Sequence, residues 1–176
     1  ERDATLYTWD REPWENTFSI EELARHEYVH YLVSRYLIPG FWGETEMYED
    51  NRVTWVDEGL ANFLAGGTQS EGIYPLRTML NWVESRDTHY SPAQASTVGY
   101  GDQLMYPYSA LLFNFLHENE SSKIRDLVEV LRNDDVAGYD TLRTEIGNES
   151  ANEFSNYING WVADADTIVD PWSESY

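Results

Sequence analysis

The stretch His26-Glu27-Tyr28-Val29-His30 decides the fold of this chain, because it predicts a helix with two histidines on one face. Side chains at positions i and i+4 of an α-helix lie one above the other, about one turn apart. Both imidazoles can then reach one metal ion, with the Glu27 carboxylate beside it. This pattern is typical of zinc peptidases, in which the glutamate acts as general base.

The flanking residues have the pattern of an amphipathic helix. Ser19 and Glu22 form a capping-box motif, which favours a helix start. Apolar residues recur at steps of three and four until Pro39-Gly40 ends the pattern. They are Ile20, Leu23, Ala24, Tyr28, Tyr31 and Leu32. We therefore predict a helix over residues 20–37.

A catalytic zinc site also needs a third protein ligand and an open position. Residues 55–65 predict a second amphipathic helix, which ends at Gly66-Gly67. Glu58 on this helix is the best candidate, because two histidines and a glutamate form an established catalytic zinc shell. Asp57 precedes it but lies on a different face, and we expect it to be solvated. The structural alternative is two ordinary histidines and a solvated glutamate, since a chance HExxH occurs on the order of once in a few hundred such chains.

Further motifs accompany the histidine pair, namely HEYVHYL, WVDEGLANFLAGG, an upstream YTWDRE and a later NDDVAGYD. Together with the spacing from His30 to Glu58, they resemble the clostridial-type bacterial collagenases, which are gluzincin zinc metallopeptidases. The resemblance runs to about Tyr157 and is strongest over residues 6–67. It implies an α+β, predominantly helical fold: a thermolysin-like catalytic half with a cleft-edge strand, the HExxH helix and a glutamate helix. Residues 1–176 are expected to form one catalytic domain, truncated relative to the family.

The resemblance implies a role for each matching residue. His26, His30 and Glu58 match the zinc ligands, and Glu27 matches the general base. Leu6-Tyr7-Thr8-Trp9 matches the strand at the edge of the cleft, along which an extended substrate would add backbone hydrogen bonds.

Two other matching positions concern the metal ions. Glu1 aligns with a carboxylate that holds a calcium ion near the zinc site in these collagenases, so calcium is a candidate second cofactor. Gluzincins usually carry an acidic residue four positions after the glutamate ligand, where it accepts the N–H of a zinc-bound histidine. Asn62 stands there in this chain, and its carbonyl oxygen can orient the ring without adding negative charge.

The glycine-rich segment that precedes the Glu1 position in the family is absent, so we expect the chain to be a fragment.

Peptide hydrolysis also needs a donor for the oxyanion of the tetrahedral intermediate, and no third histidine is well placed. By resemblance, a tyrosine near residues 99–109 has this role. Tyr100 and Tyr106 are both candidates, although either could be a packed ring with a hydrogen-bonded hydroxyl. His89 and His117 are expected to be structural or solvated.

Composition restricts the partners and the compartment. The chain has 32 acidic and 11 basic side chains, a net charge of −21, so neither nucleic acid nor an anionic membrane is an expected partner. Lys123 is the only lysine, and acidic residues are spread throughout. This pattern fits a secreted, extracellular protein in a salty or calcium-containing medium, or simply an acidic soluble protein. The chain contains no cysteine, so a disulfide framework is excluded, and the sequence does not indicate an oligomeric state.

The rest of the chain is predicted to be mostly helical. Helices are expected over residues 75–83 with Pro75 in the first turn, over 110–116, after a cap at Ser121 or Ser122, over 140–146 and over 151–162. Residues 68–74 are expected to be a connector, residues 87–102 a long loop, and the tail from residue 164 polar and frayed. Residues 6–9 are the predicted strand.

Three functions are compatible with these observations. The leading one is a zinc-dependent endopeptidase that hydrolyses collagen-like or denatured extended chains, with Glu27 as the base for the attacking water. The second is another gluzincin such as an aminopeptidase, which would need an acidic group to hold a free amine. The third is a catalytically impaired zinc-binding fragment, suggested by Asn62 and the absent segment.

Overall fold

The computed structural model describes residues 20–39, 44–66, 68–69, 72–73 and 75–168, and this part of the chain is predominantly helical. Its α-helices are α1 (Ile20–Tyr36), α2 (Thr54–Ala65), α3 (Arg77–Val83), α4 (Pro92–Ala95), α5 (Met105–Asn119), α6 (Ser121–Arg132), α7 (Val136–Gly147) and α8 (Ala151–Asp164). Short 3-10 segments cover Glu46–Asn51 and Ala165–Thr167. Strands β1 (Thr68–Gln69) and β2 (Gly72–Ile73) form an antiparallel pair, with Thr68 opposite Ile73.

Helix α2 lies in the centre of the core, where it packs against α1 and α5. All of its residues except Leu64 are buried. Four of these buried residues have polar side chains: Thr54, Asp57, Glu58 and Asn62. Because a buried polar group is costly unless it is hydrogen-bonded or neutralised, each of them must find a partner inside the protein.

Gly59 allows α2 to lie directly on α5. A Cβ atom at this position would lie 2.9 Å from the Ser109 carbonyl oxygen and 2.9 Å from the Phe113 ring. The Phe113 ring also packs against Trp55 and Phe63, at centroid distances of 5.6 and 6.0 Å. The close packing of α5 on α2 at Gly59 therefore fixes the position of α2 next to Glu58.

The C-terminal helices complete the core. Helix α6 packs against α7 and α5, and α8 returns to contact α3 and α5. Their inward-facing side chains belong to the same hydrophobic cluster as those of α2; they include Leu127, Leu131, Leu142, Ile146, Phe154 and Ile158. In the described part of the chain, no helix combines the length and apolarity that crossing a bilayer requires.

The predominantly helical prediction is confirmed, and the helices that carry the histidine pair and Glu58 begin and end close to the predicted residues. Helix α5 is longer than expected: it begins at Met105, so Tyr106 lies within it instead of in the preceding loop. Helix α3 begins at Arg77, and Leu76 is its N-cap in an extended conformation. The prediction that Pro75 lies in the first turn is therefore wrong.

Several predictions about loops and caps are also wrong. Residues 87–102 contain α4, whose capping box pairs Ser91 with Gln94, and residues 68–74 contain the β1–β2 pair. Glu120 is the N-cap of α6, and Ser121 and Ser122 already lie within the helix. The predicted serine cap is therefore wrong. Helix α7 begins before the predicted residue 140, because the Asp135 side chain accepts the Gly138 N–H and caps it.

Residues 165–167, at the start of the predicted tail, form a 3-10 helix, contrary to the expectation of fraying. Ala165 is buried, and Asp166 pairs with Arg77 of α3 at 2.9 Å. The predicted strand over residues 6–9, the Ser19 cap and Glu1 lie outside the described residues. These predictions stay predictions.

Replacing Gly59 by alanine tests the contact between α2 and α5. We expect Gly59→Ala to lower the free energy of unfolding by about 1–3 kcal/mol, because the new methyl group meets a backbone carbonyl that cannot rotate away. Gly160→Ala is the matched control, since Gly160 is also helical but has nothing within 4 Å of its Cβ position. That variant should be neutral or stabilised by up to about 1 kcal/mol. Urea unfolding of both variants measures the difference, and equal stabilities would contradict the close approach.

Candidate metal centre

Helices α1 and α2 bring three acceptor atoms together. The Nε2 atom of His26 lies 3.2 Å from Oε2 of Glu58, and the Nε2 atom of His30 lies 3.6 Å from the same oxygen. The two Nε2 atoms are 2.9 Å apart. Glu58 is buried and both rings are partly buried, so all three side chains face a common point between the helices.

The other nitrogen of each ring is held by an acceptor on α2. His26 Nδ1 lies 3.0 Å from Oδ1 of Asn62, and His30 Nδ1 lies 3.2 Å from Oδ1 of Asp57. The Asn62 amide orientation is fixed, because its Nδ2 group donates to the Glu58 carbonyl at 3.0 Å. An amide oxygen and a carboxylate can only accept here, so both rings carry a proton on Nδ1.

Protonation at Nδ1 leaves a lone pair on each Nε2 atom. Two lone pairs and a carboxylate oxygen therefore converge without a donor among them, which is unfavourable unless a cation lies between them. Ligand atoms of a tetrahedral zinc ion, at 2.0–2.2 Å from the metal, lie roughly 3.3–3.5 Å apart. The three separations of 2.9, 3.2 and 3.6 Å bracket that value. The donor set and its outer partners thus fit zinc.

The pKa shifts of His30 and Glu58 also favour a positive charge at this site. Burial alone would lower the pKa of His30, but its contacts with Asp57 and Glu58 outweigh burial and raise the pKa to about 10. Burial alone would raise the pKa of Glu58, but its contacts with His26 and His30 and the hydrogen bond from Tyr100 hold it well below its usual range. Without a metal ion, a proton therefore stays in the site, and a metal ion must displace it.

Tyr100 orients the Glu58 carboxylate. Its hydroxyl donates to Oε1 of Glu58 at 2.6 Å, whereas Oε2 is the oxygen that faces the histidines. Partial burial and the neighbouring Glu58 charge raise the pKa of Tyr100, so the hydroxyl stays a donor at neutral pH. This contact fixes which carboxylate oxygen is presented to the metal position.

Tyr106 reaches the site from α5. Burial raises its pKa, and the charges of Glu58 and Glu27 raise it further. Within the part of the chain that the structure describes, this hydroxyl has no hydrogen-bond partner. Glu27 follows His26 on α1 and is partly exposed. The two candidate tyrosines therefore differ, since the proton of Tyr100 is engaged by Glu58 and that of Tyr106 is available.

Asp57 is the site residue that the sequence interpretation missed. It was expected to be solvated, but it is 7% exposed and bonded to His30. The expectation fails because α2 is buried on nearly every side, so a different face of this helix still faces protein. The sequence could have indicated Asp57, because each metal-binding histidine needs an acceptor for its second ring nitrogen. Asn62 can serve only one of the two histidines.

The two other histidines lie elsewhere. His89 lies between the Tyr108 hydroxyl and Oδ1 of Asn159, both at 3.0 Å, and thereby links α5 to α8. His117 is exposed in the last turn of α5, with its ring centroid 5.4 Å from that of Phe63. Neither residue belongs to the three-residue cluster.

Comparison with known proteins identifies the family. The model of the collagenase family, peptidase family M9, matches residues 1–157. The chain belongs to the collagenase family. This confirms the resemblance that was inferred from the motifs around the two site helices.

Bacterial collagenases are among the similar curated proteins. Collagenase ColA of Bacillus cereus is 35% identical over 151 residues, which is 85% of this chain and 16% of the relative. Collagenase ColA of Clostridium perfringens is 30% identical over 174 residues, 97% of this chain and 16% of the relative. Collagenase ColT of Clostridium tetani is 32% identical, over 91% of this chain and 18% of the relative. This collagenase-family chain thus spans about a sixth of the length of the curated relatives it matches.

The outer carboxylate can be tested in this collagenase-family chain by metal binding. Asp57→Ala should weaken zinc affinity roughly 10- to 100-fold, because His30 loses the acceptor that holds its ring and raises its basicity. Competition with a chromophoric chelator measures the dissociation constant. Asp126→Ala, which removes an exposed aspartate on α6, is the control for the loss of one negative charge. Equal affinities of the two variants would refute the assignment of Asp57.

Proposed function

We propose that the chain is the catalytic segment of a zinc metalloendopeptidase of the collagenase type. The observation that carries this proposal is the convergence of His26, His30 and Glu58, with each ring nitrogen that faces away from the cluster held by an acceptor. Family membership supports a peptidase, and this donor set is an established catalytic zinc shell. When bound, zinc would act as a Lewis acid toward the water nucleophile and the scissile carbonyl.

Glu27 is the proposed general base. It directly follows His26 on α1, and its charge contributes to the raised pKa of Tyr106. Its carboxylate would take a proton from the attacking water and later pass that proton to the leaving amine. One carboxylate thus serves both halves of the hydrolysis.

The proposed oxyanion donor is Tyr106, whereas Tyr100 positions Glu58. A donor must have its proton free when charge develops on the carbonyl oxygen. The hydrogen bond from Tyr100 to Glu58 supports a positioning role for that residue. The raised pKa of Tyr106 supports a hydroxyl that keeps its proton and can donate it as a hydrogen bond.

The proposed substrate is an extended peptide, collagen-like or denatured. In this proposal, residues 6–9 form the edge strand that holds the substrate backbone, and Glu1 holds a calcium ion beside the zinc site. The strongly acidic composition supports secretion into an extracellular medium that contains salt or calcium. We propose that residues 1–176 act as one catalytic domain. The aminopeptidase alternative has no observation in its favour.

Replacing Glu27 by alanine tests the reaction itself. We expect cleavage of a quenched collagen-like peptide to fall roughly 10²- to 10⁴-fold, since proton transfer loses its acceptor. Zinc content, measured by atomic absorption, should stay equal to that of the wild type. Glu145→Ala, an exposed glutamate on α7, controls for the change in charge. If wild type and Glu27→Ala retain zinc and are equally inert, the proposed peptidase activity of this chain fails.

The two tyrosines should have separable effects. Tyr106→Phe is expected to lower kcat roughly 10²- to 10³-fold, with zinc affinity unchanged, because the transition state loses a hydrogen-bond donor. Tyr100→Phe is expected to weaken zinc affinity roughly 10-fold and to retain most of kcat at saturating zinc, because Glu58 loses its orienting partner. Steady-state kinetics and chelator competition on both variants distinguish these outcomes. Exchanged phenotypes would reverse the two assignments.

A further inference from the structure

The NDDVAGYD motif, residues 133–140, makes directed contacts with residues 46–55, the stretch that leads into and begins α2. The backbone N–H of Met47 donates to Oδ1 of Asp134 at 3.0 Å. The Tyr139 hydroxyl accepts the indole N–H of Trp55 at 2.7 Å and donates to the carbonyl oxygen of Arg52 at 2.8 Å. The two stretches are more than 80 residues apart in sequence, so these bonds are long-range.

These contacts lie in the core. Tyr139 and Met47 are completely buried, and Trp55 is 1% exposed. A buried hydroxyl that both accepts and donates is fully satisfied, and such bonds are stronger in a low-dielectric interior than in water. An ion pair from Arg52 to Asp140, at 3.4 Å, adds to them near the surface. Residues 133–140 therefore hold residues 46–55 by several independent bonds.

Helix α2 depends on external contacts at its N-terminus. Its N-cap residue, Val53, has no side chain that can accept a backbone N–H, and the structure shows no side-chain cap bond there. Trp55 lies in the same first turn as Asp57 and directly precedes the turn that contains Glu58. A shift or rotation of Trp55 therefore moves both carboxylates with it, because a helical turn behaves as a rigid unit.

Tyr48 provides a second connection between the two regions. It lies within residues 46–55 and packs against the core. Burial raises its pKa, and so do the nearby charges of Asp57 and Asp134 and the neighbouring Tyr139. Tyr48 is therefore sensitive to charges both at the metal centre and in the motif at the start of α7.

We propose that residues 133–140 are a positioning element of the metal centre, which fixes the first turn of α2 so that Asp57 and Glu58 face the two histidines. The inference rests on the proposed zinc site. None of these residues touches the metal position, so the motif acts through Trp55, Arg52 and Met47. Its removal should change the geometry and affinity of the metal site, in addition to any change in stability.

The first test removes one hydroxyl. Tyr139→Phe should weaken zinc affinity roughly 3- to 10-fold, less than the loss of a direct histidine partner, and should alter the visible spectrum of the cobalt(II)-substituted protein. Tyr108→Phe is the matched control, since Tyr108 is equally buried but its hydroxyl bonds to His89. The control should lose stability and keep the wild-type affinity and cobalt spectrum.

A second pair of variants separates the hydrogen bond from the fold. Asp134 has a positive φ of 51°, so Asp134→Gly removes the acceptor without backbone strain. Asp134→Asn keeps an acceptor oxygen, and asparagine also tolerates this conformation. We expect weakened zinc binding and a changed cobalt spectrum for glycine, and the wild-type values for asparagine. If Tyr139→Phe does not fold, the two Asp134 variants alone test the positioning role of residues 133–140.

Each result has one meaning. Weaker zinc binding by Tyr139→Phe or Asp134→Gly, with Tyr108→Phe and Asp134→Asn unchanged, supports the positioning role. Variants that lose only stability, and keep the affinity and cobalt spectrum of the wild type, overturn it and leave the zinc site intact. A wild-type chain that binds no zinc overturns both this inference and the proposed function.

Discussion

The convergence of two imidazole lone pairs and a carboxylate oxygen is the constraint on which the rest of the structure depends. The rings of His26 and His30 are committed to this arrangement, because Asn62 and Asp57 accept from their outer nitrogens. The cluster cannot satisfy itself by internal hydrogen bonds unless one group gains a proton. A cation at the meeting point would satisfy all three atoms at once, as the proposed zinc site requires.

The two outer acceptors have unequal effects. Asn62 gives orientation without charge, whereas Asp57 gives His30 both an acceptor and a negative charge. Asparagine at position 62 therefore leaves the site with one outer carboxylate, Asp57, which contacts His30. This arrangement weakens the case for an impaired fragment, which rested in part on treating Asn62 in isolation.

The sequence predicted the parts of the site that follow from local periodicity. The i and i+4 spacing placed both histidines on one face of α1, and the buried pattern of residues 55–65 placed Glu58 on a rigid helix. Asp57 was missed because its partner is 27 residues away and helix phase alone cannot show which faces are covered. Tyr100 and Tyr106 could not be separated for the same reason, since the choice depends on which hydroxyl meets Glu58 in three dimensions. The motif at residues 133–140 was noted only as a resemblance, because its contacts span more than 80 residues.

Metal binding at the proposed site between α1 and α2 would be coupled to folding. The proposed ligands come from two helices joined by a long connection, so an ion between them would link α1 to α2 and add its binding energy to the packing of α2 on α5. Before the ion binds, the raised pKa of His30 keeps a proton among the carboxylates, and this proton relieves part of the repulsion. The overall charge of −21 acts in the same direction, because a negative field raises the local concentration of cations at the site. Gly59 and Trp55 then have a common role: they hold α2 rigid in its position, so that the binding energy is not spent on moving the helix.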